Sequence, residues 1–544
     1  MQSAELAPPQ PVDSKISDES SQKEGSRKEG SKKERWPVWV FVVAAVYLLM
    51  HILTATRYGY FRDALYFLAC AEHLDWGYVD QPPLIVLIGW IARHTLGTSL
   101  HALLLWPALA GVGRIFLTVG FARELGAKRF GMVFAAVLAV IPAVWYVNDH
   151  QFAMNAFEPL FWTGCAFVIL RMIKTGNVKL WLAFGAISGL GLENKYSMAI
   201  FAFALLTGLL LTQERKLLFT PWILAGGGVA LLVFLPNLLW NVQHHWPFAE
   251  LMRNIRASGR DVVYSPLGYL WQQVLMTTPA SFPFWFGGLL FLFFSQKMKG
   301  FRVFGWTFVI TIAFFLLAHG KNYYSAAVYT LVLAAGAVAT EALLDSARMA
   351  ELPRIRMALK PVFVIWLILG LGAILPVVLP VLSIESYLRY QGKLPIRPPR
   401  IEHQNFSMDL PQHYSDEFGW QEMVAATARV YHSLSPEEQA KTAIFVDNYG
   451  EAGAIDFFGP QYGLPKAICT HQNYFLWGPQ NYTGEIVIRI GAPIGPVKES
   501  YESVEIAATL DNPYAMTNEV RPILLCRRRK ANLQTDWPSM KHWG

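Results

Sequence analysis

Long apolar runs recur along most of this chain and constrain its fold more than any other feature of the sequence. From Trp36 to about Leu382, runs of about 15–23 residues alternate with short polar links. An α-helix needs about 20 apolar residues to cross the ~30 Å hydrocarbon core of a bilayer. Because a backbone in lipid must satisfy its hydrogen bonds internally, such runs form transmembrane helices. The sequence therefore predicts a polytopic α-helical membrane protein.

The predicted transmembrane domain covers residues 36–383 and has about 11–13 helices. The eleven clearest runs lie at 37–55, 104–122, 131–147, 157–171, 179–193, 197–211, 219–239, 270–294, 303–318, 324–342 and 361–382. The composition also favours a membrane protein, since 16% of the residues are charged, against about 25% in soluble domains. Four cysteines in 544 residues argue against a secreted disulfide scaffold, and 53% hydrophobic residues argue against a disordered chain.

The distribution of Lys and Arg predicts the orientation of the chain in the membrane. If the N-terminus is cytoplasmic, every second link should be rich in basic residues. The five links concerned carry Arg123/Lys128/Arg129, Arg171/Lys174/Lys179, Arg215/Lys216, Lys297/Lys299/Arg302 and Arg348/Arg354/Arg356/Lys360. We therefore expect a multi-pass protein of the inner (plasma) membrane. The net charge of +7 is typical of such links and requires no nucleic-acid partner.

Two polar regions flank the membrane domain. Residues 1–35 contain seven basic and seven acidic residues and few apolar ones, which predicts a disordered cytoplasmic tail. Residues 384–544 have ordinary polarity, with short β-rich runs between helical stretches at 418–433 and 450–458. This alternation predicts a soluble, extracytoplasmic α/β domain. Cys469 and Cys526 both lie in it, and a disulfide between them is left open.

The first predicted outer link, residues 56–103, is long and carries two notable acids. Asp63 opens a helical pattern whose apolar face fits an amphipathic helix on the outer membrane surface, with Asp63 as its cap or first-turn acid. Asp80 precedes two prolines, so it ends a turn before the next interfacial helix.

Three further charged residues stand at predicted outer ends of spans. Glu158 lies where the chain re-enters the membrane, and a carboxylate at that depth is a functional hypothesis by default. Lys195 and Lys321 are lone lysines on the side that the charge bias leaves poor in basic residues, so an anionic phosphate headgroup is a plausible partner. The neighbouring Tyr196, Tyr323 and Tyr324 fit either a binding role or an aromatic belt.

No cofactor is expected from the motifs of this sequence. There is no P-loop and no GxGxxG after a strand, which gives no support to ATP-driven transport or dinucleotide chemistry. His244 and His245 are adjacent instead of four residues apart, so a divalent metal remains open but poorly supported.

Four segments together resemble the bacterial branch of the GT-C membrane glycosyltransferases. These segments are YFRDALYFLACAEHLDWGYVDQPPL, MNAFEPLFW, GLGLENKYS and HGKNYYSAAVYTLVLAAGA. Enzymes of this branch are similar to protein O-mannosyltransferases (glycosyltransferase family 39) and to the lipid A aminoarabinose transferase. The resemblance covers about residues 37–345.

The resemblance implies a GT-C fold and inverting sugar transfer from a polyprenyl-phosphate donor to a lipid, glycan or protein acceptor on the extracytoplasmic face. It makes Asp63 the general base or the residue that orients the acceptor, and Glu158 a second acid in the cavity. It places Lys195 and Lys321 near the lipid phosphate. The other predicted substrate-binding residues are Arg62, Asp80, Tyr196, Tyr323 and Tyr324.

A transporter or flippase of an envelope lipid or glycan is the alternative hypothesis, because intramembrane charges also serve substrate or proton paths. The long first link, the large external domain and the lack of evident inverted repeats in the sequence argue against it. A catalytically silent scaffold for envelope assembly is a third hypothesis.

Overall fold

The structure is a computed structural model in which residues 35–395, 402, 409–516 and 521–544 are described. The predicted tail, residues 1–35, falls outside these ranges except for Arg35. All eleven predicted apolar runs form helices, which confirms a polytopic α-helical fold. The helices up to residue 378 are α1 Val38–Thr54, α2 Arg62–Cys70, α3 Leu84–Thr95, α4 Leu100–Glu124, α5 Arg129–Val140, α6 Ala143–Asp149, α7 Glu158–Thr175, α8 Trp181–Asn194, α9 Ser197–Leu210, α10 Pro221–Gln243, α11 Pro247–Ser258, α12 Pro266–Met276, α13 Phe282–Phe294, α14 Arg302–Leu317, α15 Tyr329–Leu344, α16 Ala347–Ala350 and α17 Pro353–Val378.

Two of the predicted spans are broken into bent helix pairs. The axes of α5 and α6 meet at 64°, and those of α12 and α13 meet at 90°. Pro142 and Pro279 lie at the two breaks, where a proline removes a helical hydrogen bond and restricts the residue before it. Within the described ranges, six helices are long and apolar enough to cross a membrane, or eight if each bent pair is one span.

Glycines allow neighbouring helices of the bundle to approach backbone to backbone. A Cβ added to Gly185 of α8 would lie 2.1 Å from the carbonyl oxygen of Gly226 in α10. A Cβ on Gly288 of α13 would lie 2.2 Å from the carbonyl oxygen of Val332 in α15. In lipid, where apolar burial gives little force between helices, such close packing of small residues is a main source of association.

A buried ion pair joins three helices inside the bundle, and the sequence patterns do not reveal it. Arg114 of α4 donates to Asp149 of α6 at 2.9 Å, and both side chains are fully buried. The Tyr47 hydroxyl of α1 donates to the same carboxylate oxygen at 2.6 Å. Removing one partner of such a buried ion pair leaves the other charge unpaired, which is costly. The pair therefore fixes how α1, α4 and α6 pack together.

The basic links meet at one end of the bundle. Lys128, before α5, lies 2.9 Å from Asp345, after α15. Lys174, near the end of α7, lies 2.8 Å from Glu124 at the end of α4. The opposite end carries α2, α3, α11 and the C-terminal domain, and we call it the domain-facing end.

The C-terminal domain is built on a mixed five-stranded sheet with strand order β2-β1-β3-β5-β4. Strand β1 pairs in parallel with β2 and β3, whereas β5 is antiparallel to β3 and β4. The β-rich runs predicted from the sequence form β1, β3, β4 and β5, which confirms an α/β domain, and β2 is an additional short strand. Its elements are α18 Ile384–Gln391, α19 Gln412–Ser415, α20 Trp420–His432, α21 Pro436–Lys441, β1 Thr442–Val446, α22 Tyr449–Phe458, β2 Ile468–Cys469, α23 Asn473–Trp477, β3 Ile486–Ile490, α24 Ile494–Ser500, β4 Tyr501–Ala508, β5 Ile523–Arg529 and α25 Leu533–Asp536.

The sheet topology rules out the disulfide that the sequence left open. Cys469 lies on β2 and Cys526 on β5, with β1 and β3 between them. Adjacent strands are about 4.8 Å apart, so the two cysteines are separated by about three strand spacings. A disulfide requires a Cα–Cα distance below about 7 Å, and both residues are buried free thiols.

Helix α2 packs against the C-terminal domain, which corrects the prediction that it lies on the membrane surface. Its residues from Ala64 to Cys70 are all buried, and α22 covers it. A Cβ added to Gly453 of α22 would lie 2.7 Å from the backbone carbonyl carbon of Leu65. The apolar side chains of α2 therefore contact protein instead of lipid, because the C-terminal domain packs against the first link.

We expect Gly453→Ala to loosen this contact, because the added methyl group meets fixed backbone. Overpacking of this kind costs about 1–3 kcal/mol. The matched control is Gly495→Ala in α24, where no atom lies within 4 Å of the added Cβ and the change should be neutral or stabilising by up to about 1 kcal/mol. Thermal unfolding of the purified proteins in detergent measures both, and equal midpoints for the two variants would contradict the expectation.

Candidate functional site

Asp63 lies in the first turn of α2, where the domain-facing end of the bundle meets the C-terminal domain, and the helix N-terminus favours its negative charge. The Tyr449 hydroxyl donates to Asp63 Oδ1 at 2.9 Å. Arg62 Nε lies 3.5 Å from the same oxygen, and Arg62 Nη1 lies 3.5 Å from Asp416 Oδ1. One guanidinium therefore lies between two carboxylates. The side chain of Asp63 keeps 30% of its exposure, so a substrate group could still reach it.

Asp80 is a second carboxylate within electrostatic range of Asp63. The Tyr66 hydroxyl of α2 donates to Asp80 Oδ1 at 2.9 Å. Burial raises the pKa of Asp80 to about 7, and the charge of Asp63 adds to the rise, although the hydrogen bond from Tyr66 opposes it. As predicted, Asp80 lies in a turn shortly before a helix, and α3 begins after its N-cap residue Pro83.

Lys321 lies in the link between α14 and α15, where two carboxylates hold it. Its Nζ is 3.3 Å from Asp261 Oδ1 and 3.1 Å from Glu402 Oε1. Arg260 Nε is 3.8 Å from the same oxygen of Glu402. Burial opposes ionisation of Glu402, but the charges of Lys321, Arg62 and Arg260 outweigh it and lower the pKa of Glu402. Cations from three separate links thus converge where an anion could be held.

Glu158 and Lys195, for which the sequence predicts separate roles, form an ion pair in which Glu158 is buried and Lys195 is partly buried. Lys195 Nζ lies 3.3 Å from Glu158 Oε2 and donates to Asn155 Oδ1 at 2.7 Å. The Ser197 hydroxyl donates to the other oxygen of Glu158. The lysine nitrogen also lies 4.8 Å from the centroid of the Tyr324 ring. The carboxylate of Glu158 is therefore the counterion of Lys195 in this structure.

The predicted tyrosines connect these groups. The Tyr323 and Tyr324 rings are 5.0 Å apart, and Tyr323 is within electrostatic range of both Lys321 and Asp63. The Tyr196 hydroxyl donates to Asn237 Oδ1 of α10 at 3.1 Å and is within electrostatic range of Asp80. The structure therefore gathers the predicted residues at the domain-facing end.

Several residues of the site were not found from the sequence because the C-terminal domain supplies them. Tyr449 is 386 positions from Asp63 along the chain. His471 is buried, its ring lies 5.0 Å from that of Tyr449, and neither ring nitrogen has a hydrogen-bond partner among the described residues. Asp416 and Glu402 are likewise far from the first link in sequence. No motif in the sequence identifies these residues, because the segments around them have the ordinary polarity of a soluble domain.

Among the described residues, His244 and His245 are not grouped with the acids of the first link as metal ligands would be. His244 stacks on Trp240 with ring centroids 4.1 Å apart, and its Nδ1 lies 2.8 Å from the Trp240 carbonyl oxygen. Across the part of the chain that the structure describes, no three His, Cys, Asp or Glu side chains are grouped so that they could hold a metal ion.

Comparisons with known sequences identify glycosyltransferase relatives. Residues 80–240 match the family model described as dolichyl-phosphate-mannose-protein mannosyltransferase. The chain is 26% identical over 186 residues to the lipopolysaccharide core galacturonosyltransferase RgtA of Rhizobium johnstonii, which covers 33% of this chain and 36% of RgtA. It is 29% identical over 124 residues to the putative mannosyltransferase YycA of Bacillus subtilis, which covers 22% of this chain and 18% of YycA. The matches thus span little more than a third, at most, of these curated relatives.

Comparison with solved structures confirms the predicted GT-C fold. The chain is similar to ArnT from Cupriavidus metallidurans bound to undecaprenyl phosphate, with a TM-score of 0.57 and 15% identity over 90% of this chain and 97% of ArnT. The apo form of ArnT gives a TM-score of 0.56 over the same shares. At this identity the likeness establishes the fold alone.

The raised pKa of Asp80 predicts a pH dependence of stability. Because the folded state binds the proton more tightly than the unfolded state, wild-type stability should fall as pH rises from the ordinary Asp value of 3.8 to about 7. In Asp80→Asn the fall should be smaller, because the contribution of Asp80 is lost while other carboxyls with raised pKa values, such as Glu451, still contribute. Asp75→Asn, in the same link, should keep the wild-type slope. Thermal midpoints measured across this pH window test the expectation, and parallel curves for wild type and Asp80→Asn would contradict it.

Proposed function

We propose that this chain, which has the GT-C fold and carries the mannosyltransferase family match over residues 80–240, is a membrane glycosyltransferase that uses a polyprenyl-phosphate sugar donor. The acceptor would be a hydroxyl group of a lipid, glycan or protein. The observation that carries the proposal is the cluster of cations beside Asp63 at one end of an apolar bundle. Arg62 contacts Asp63 directly, and the charges of Arg62, Arg260 and Lys321 all act on Glu402.

The choice of donor rests on the charge and setting of the site. A sugar phosphate on a polyprenyl lipid carries its own leaving group, and its apolar chain can remain in the bilayer beside the helices. The site must then supply positive charge for the phosphate and needs no nucleotide-binding domain. The fold shared with ArnT, which was solved with undecaprenyl phosphate, supports this class of donor.

Lys321 and Arg260 are the proposed phosphate-binding cations, and Lys195 is a further candidate beyond Tyr324. In the structure Lys321 is paired with Asp261 and Glu402, so a donor phosphate would share or replace these carboxylates. When the bond between the anomeric carbon and the phosphate oxygen breaks, negative charge grows on the phosphate. Fixed cations near that oxygen stabilise it in the transition state more than in the ground state.

Asp63 is the proposed general base. The acceptor hydroxyl would attack the anomeric carbon from the side opposite the phosphate, which inverts the configuration. As the new carbon–oxygen bond forms, the hydroxyl proton passes to Asp63, and polyprenyl phosphate leaves with the electrons of the broken bond. Asp80, whose pKa is raised to about 7, lies within electrostatic range of Asp63.

We also infer that the domain-facing end lies on the extracytoplasmic side of the inner membrane. The Lys- and Arg-rich links lie together at the opposite end, where Lys128 meets Asp345 and Lys174 meets Glu124. Basic links of this kind remain in the cytoplasm. The C-terminal domain would then cover the site from outside and could take part in acceptor recognition.

Asp63→Asn should abolish transfer while leaving donor binding largely intact. Loss of a general base lowers the rate on the order of 10²- to 10⁴-fold. The matched control is Asp75→Asn in the same link, whose carboxylate accepts from Trp240 Nε1 at 2.8 Å and should be dispensable for transfer. The measurement is release of radiolabelled sugar from a panel of polyprenyl phosphate sugars by the purified protein with membrane extract as acceptor source.

Equal activity of Asp63→Asn and wild type would remove Asp63 from catalysis. A wild type that turns over no donor in the panel but moves labelled lipid across reconstituted vesicles would replace the proposal with the transporter hypothesis.

A further inference from the structure

We propose that Tyr449 is a positioning residue for Asp63, so that the C-terminal domain completes the catalytic centre. The proposal rests on the function proposed above, because it assigns a role within the same site. It goes further by giving a residue outside the membrane domain a defined effect on the base.

The two carboxylate oxygens of Asp63 have different surroundings. Tyr449 donates to Oδ1 at 2.9 Å, and Arg62 Nε lies 3.5 Å from that same atom. Among the described residues, no hydrogen bond or ion pair reaches Oδ2. Because both contacts hold one oxygen, the carboxylate cannot rotate freely, and Oδ2 is left to take a proton from the acceptor.

Tyr449 is itself held rigidly. It is the first residue of α22, directly after Asn448, which forms a capping box with Glu451. Its ring lies 4.7 Å from that of Tyr66 and 5.0 Å from that of His471, and the Arg62 guanidinium lies 5.5 Å from its centroid. A donor with this little freedom fixes the acceptor of its hydrogen bond as well.

Its surroundings favour the protonated, donating form of the Tyr449 hydroxyl. Burial raises its pKa well above the ordinary value, and the negative charges of Asp63 and Asp80 support the rise, although Arg62 opposes it. The phenol therefore does not compete with Asp63 for the role of base. It supplies a hydrogen bond to Oδ1 of Asp63. In general, a donated hydrogen bond favours the ionised form of the carboxyl group that accepts it.

The domain carries a matched control for this interaction. Tyr474 is also buried, and its hydroxyl donates to the buried carboxylate of Asp456 at 2.8 Å, within the same domain. Tyr474→Phe therefore removes the same kind of hydrogen bond without touching Asp63. A general loss of domain stability should affect Tyr449→Phe and Tyr474→Phe alike, whereas a positioning effect belongs to Tyr449 alone.

The first experiment measures the reactivity of Asp63 directly and requires no knowledge of the sugar. Carbodiimides attack protonated carboxyl groups, so labelling of Asp63, read by mass spectrometry over a pH series, reports its ionisation in the full-length protein. In Tyr449→Phe the half-labelling pH should move upward, because a donor that favours the ionised form is lost. It should not move in Tyr474→Phe. An unchanged value in Tyr449→Phe would overturn the proposal.

The second experiment uses the sugar-transfer assay. Tyr449→Phe should lower kcat on the order of ten- to a hundredfold, as expected for a misplaced catalytic group, with little change in KM for the donor. The acid limb of its pH–rate profile should move to higher pH. If Tyr449→Phe proves less stable than Tyr474→Phe, 4-aminophenylalanine at position 449 restores a neutral donor and should restore the profile.

The two experiments separate failure of this inference from failure of the proposed function. A Tyr449→Phe protein with wild-type kcat and profile, alongside an inactive Asp63→Asn, would overturn the positioning role and leave the glycosyltransferase in place. A wild type without transfer activity would overturn the proposed function, and the labelling series would still decide whether Tyr449 governs the ionisation of Asp63.

Discussion

The packing of α2 against α22 is the contact on which the rest of the site depends. A nine-residue helix is too short to be stable by itself in water, so tertiary packing must stabilise it. Every residue from Ala64 to Cys70 is buried, and the glycine at 453 lets the two backbones meet closely. This contact presents the first turn of α2, with Arg62 and Asp63, to the C-terminal domain. The same contact brings Tyr449, at the start of α22, onto the carboxylate.

Charge neutralisation then determines how the remaining groups are arranged. A buried charge is tolerated only when it is paired and hydrogen-bonded. Lys195 is paired with Glu158, and Lys321 with Asp261 and Glu402. Arg62 lies between Asp63 and Asp416. These carboxylates balance the charges of the cations, and the pairing stabilises a cluster of cations inside the protein.

The C-terminal domain contributes residues to the candidate site. Asp416, Tyr449 and His471 all lie at or beside the site, although they follow the membrane domain in sequence. The last residues of the chain add to this connection, since Lys541 lies 2.6 Å from Glu250 of α11. The domain and the links at the domain-facing end thus form one continuous structure around Asp63. Removing the domain would expose the apolar face of α2.

The sequence by itself determined the class of fold. Apolar runs predicted the helices of the bundle, because hydropathy is a property of each segment and needs no partner. Among the described residues, six to eight of them are long and apolar enough to cross a membrane. The alternation of β-rich and helical runs likewise predicted the α/β domain. The motif resemblance pointed to Asp63, Glu158, Lys195 and Lys321, whose roles stay predictions.

Only the tertiary structure decided which side chains meet. In the structure α2 lies at a protein interface instead of the membrane surface, and Glu158 is paired with Lys195. Cys469 and Cys526 lie on strands that are not adjacent, and Tyr449 contacts Asp63. The physical reason is that hydropathy and propensity act locally along the chain. Ion pairs and hydrogen bonds between segments 386 residues apart depend on how the helices pack and how the domain docks.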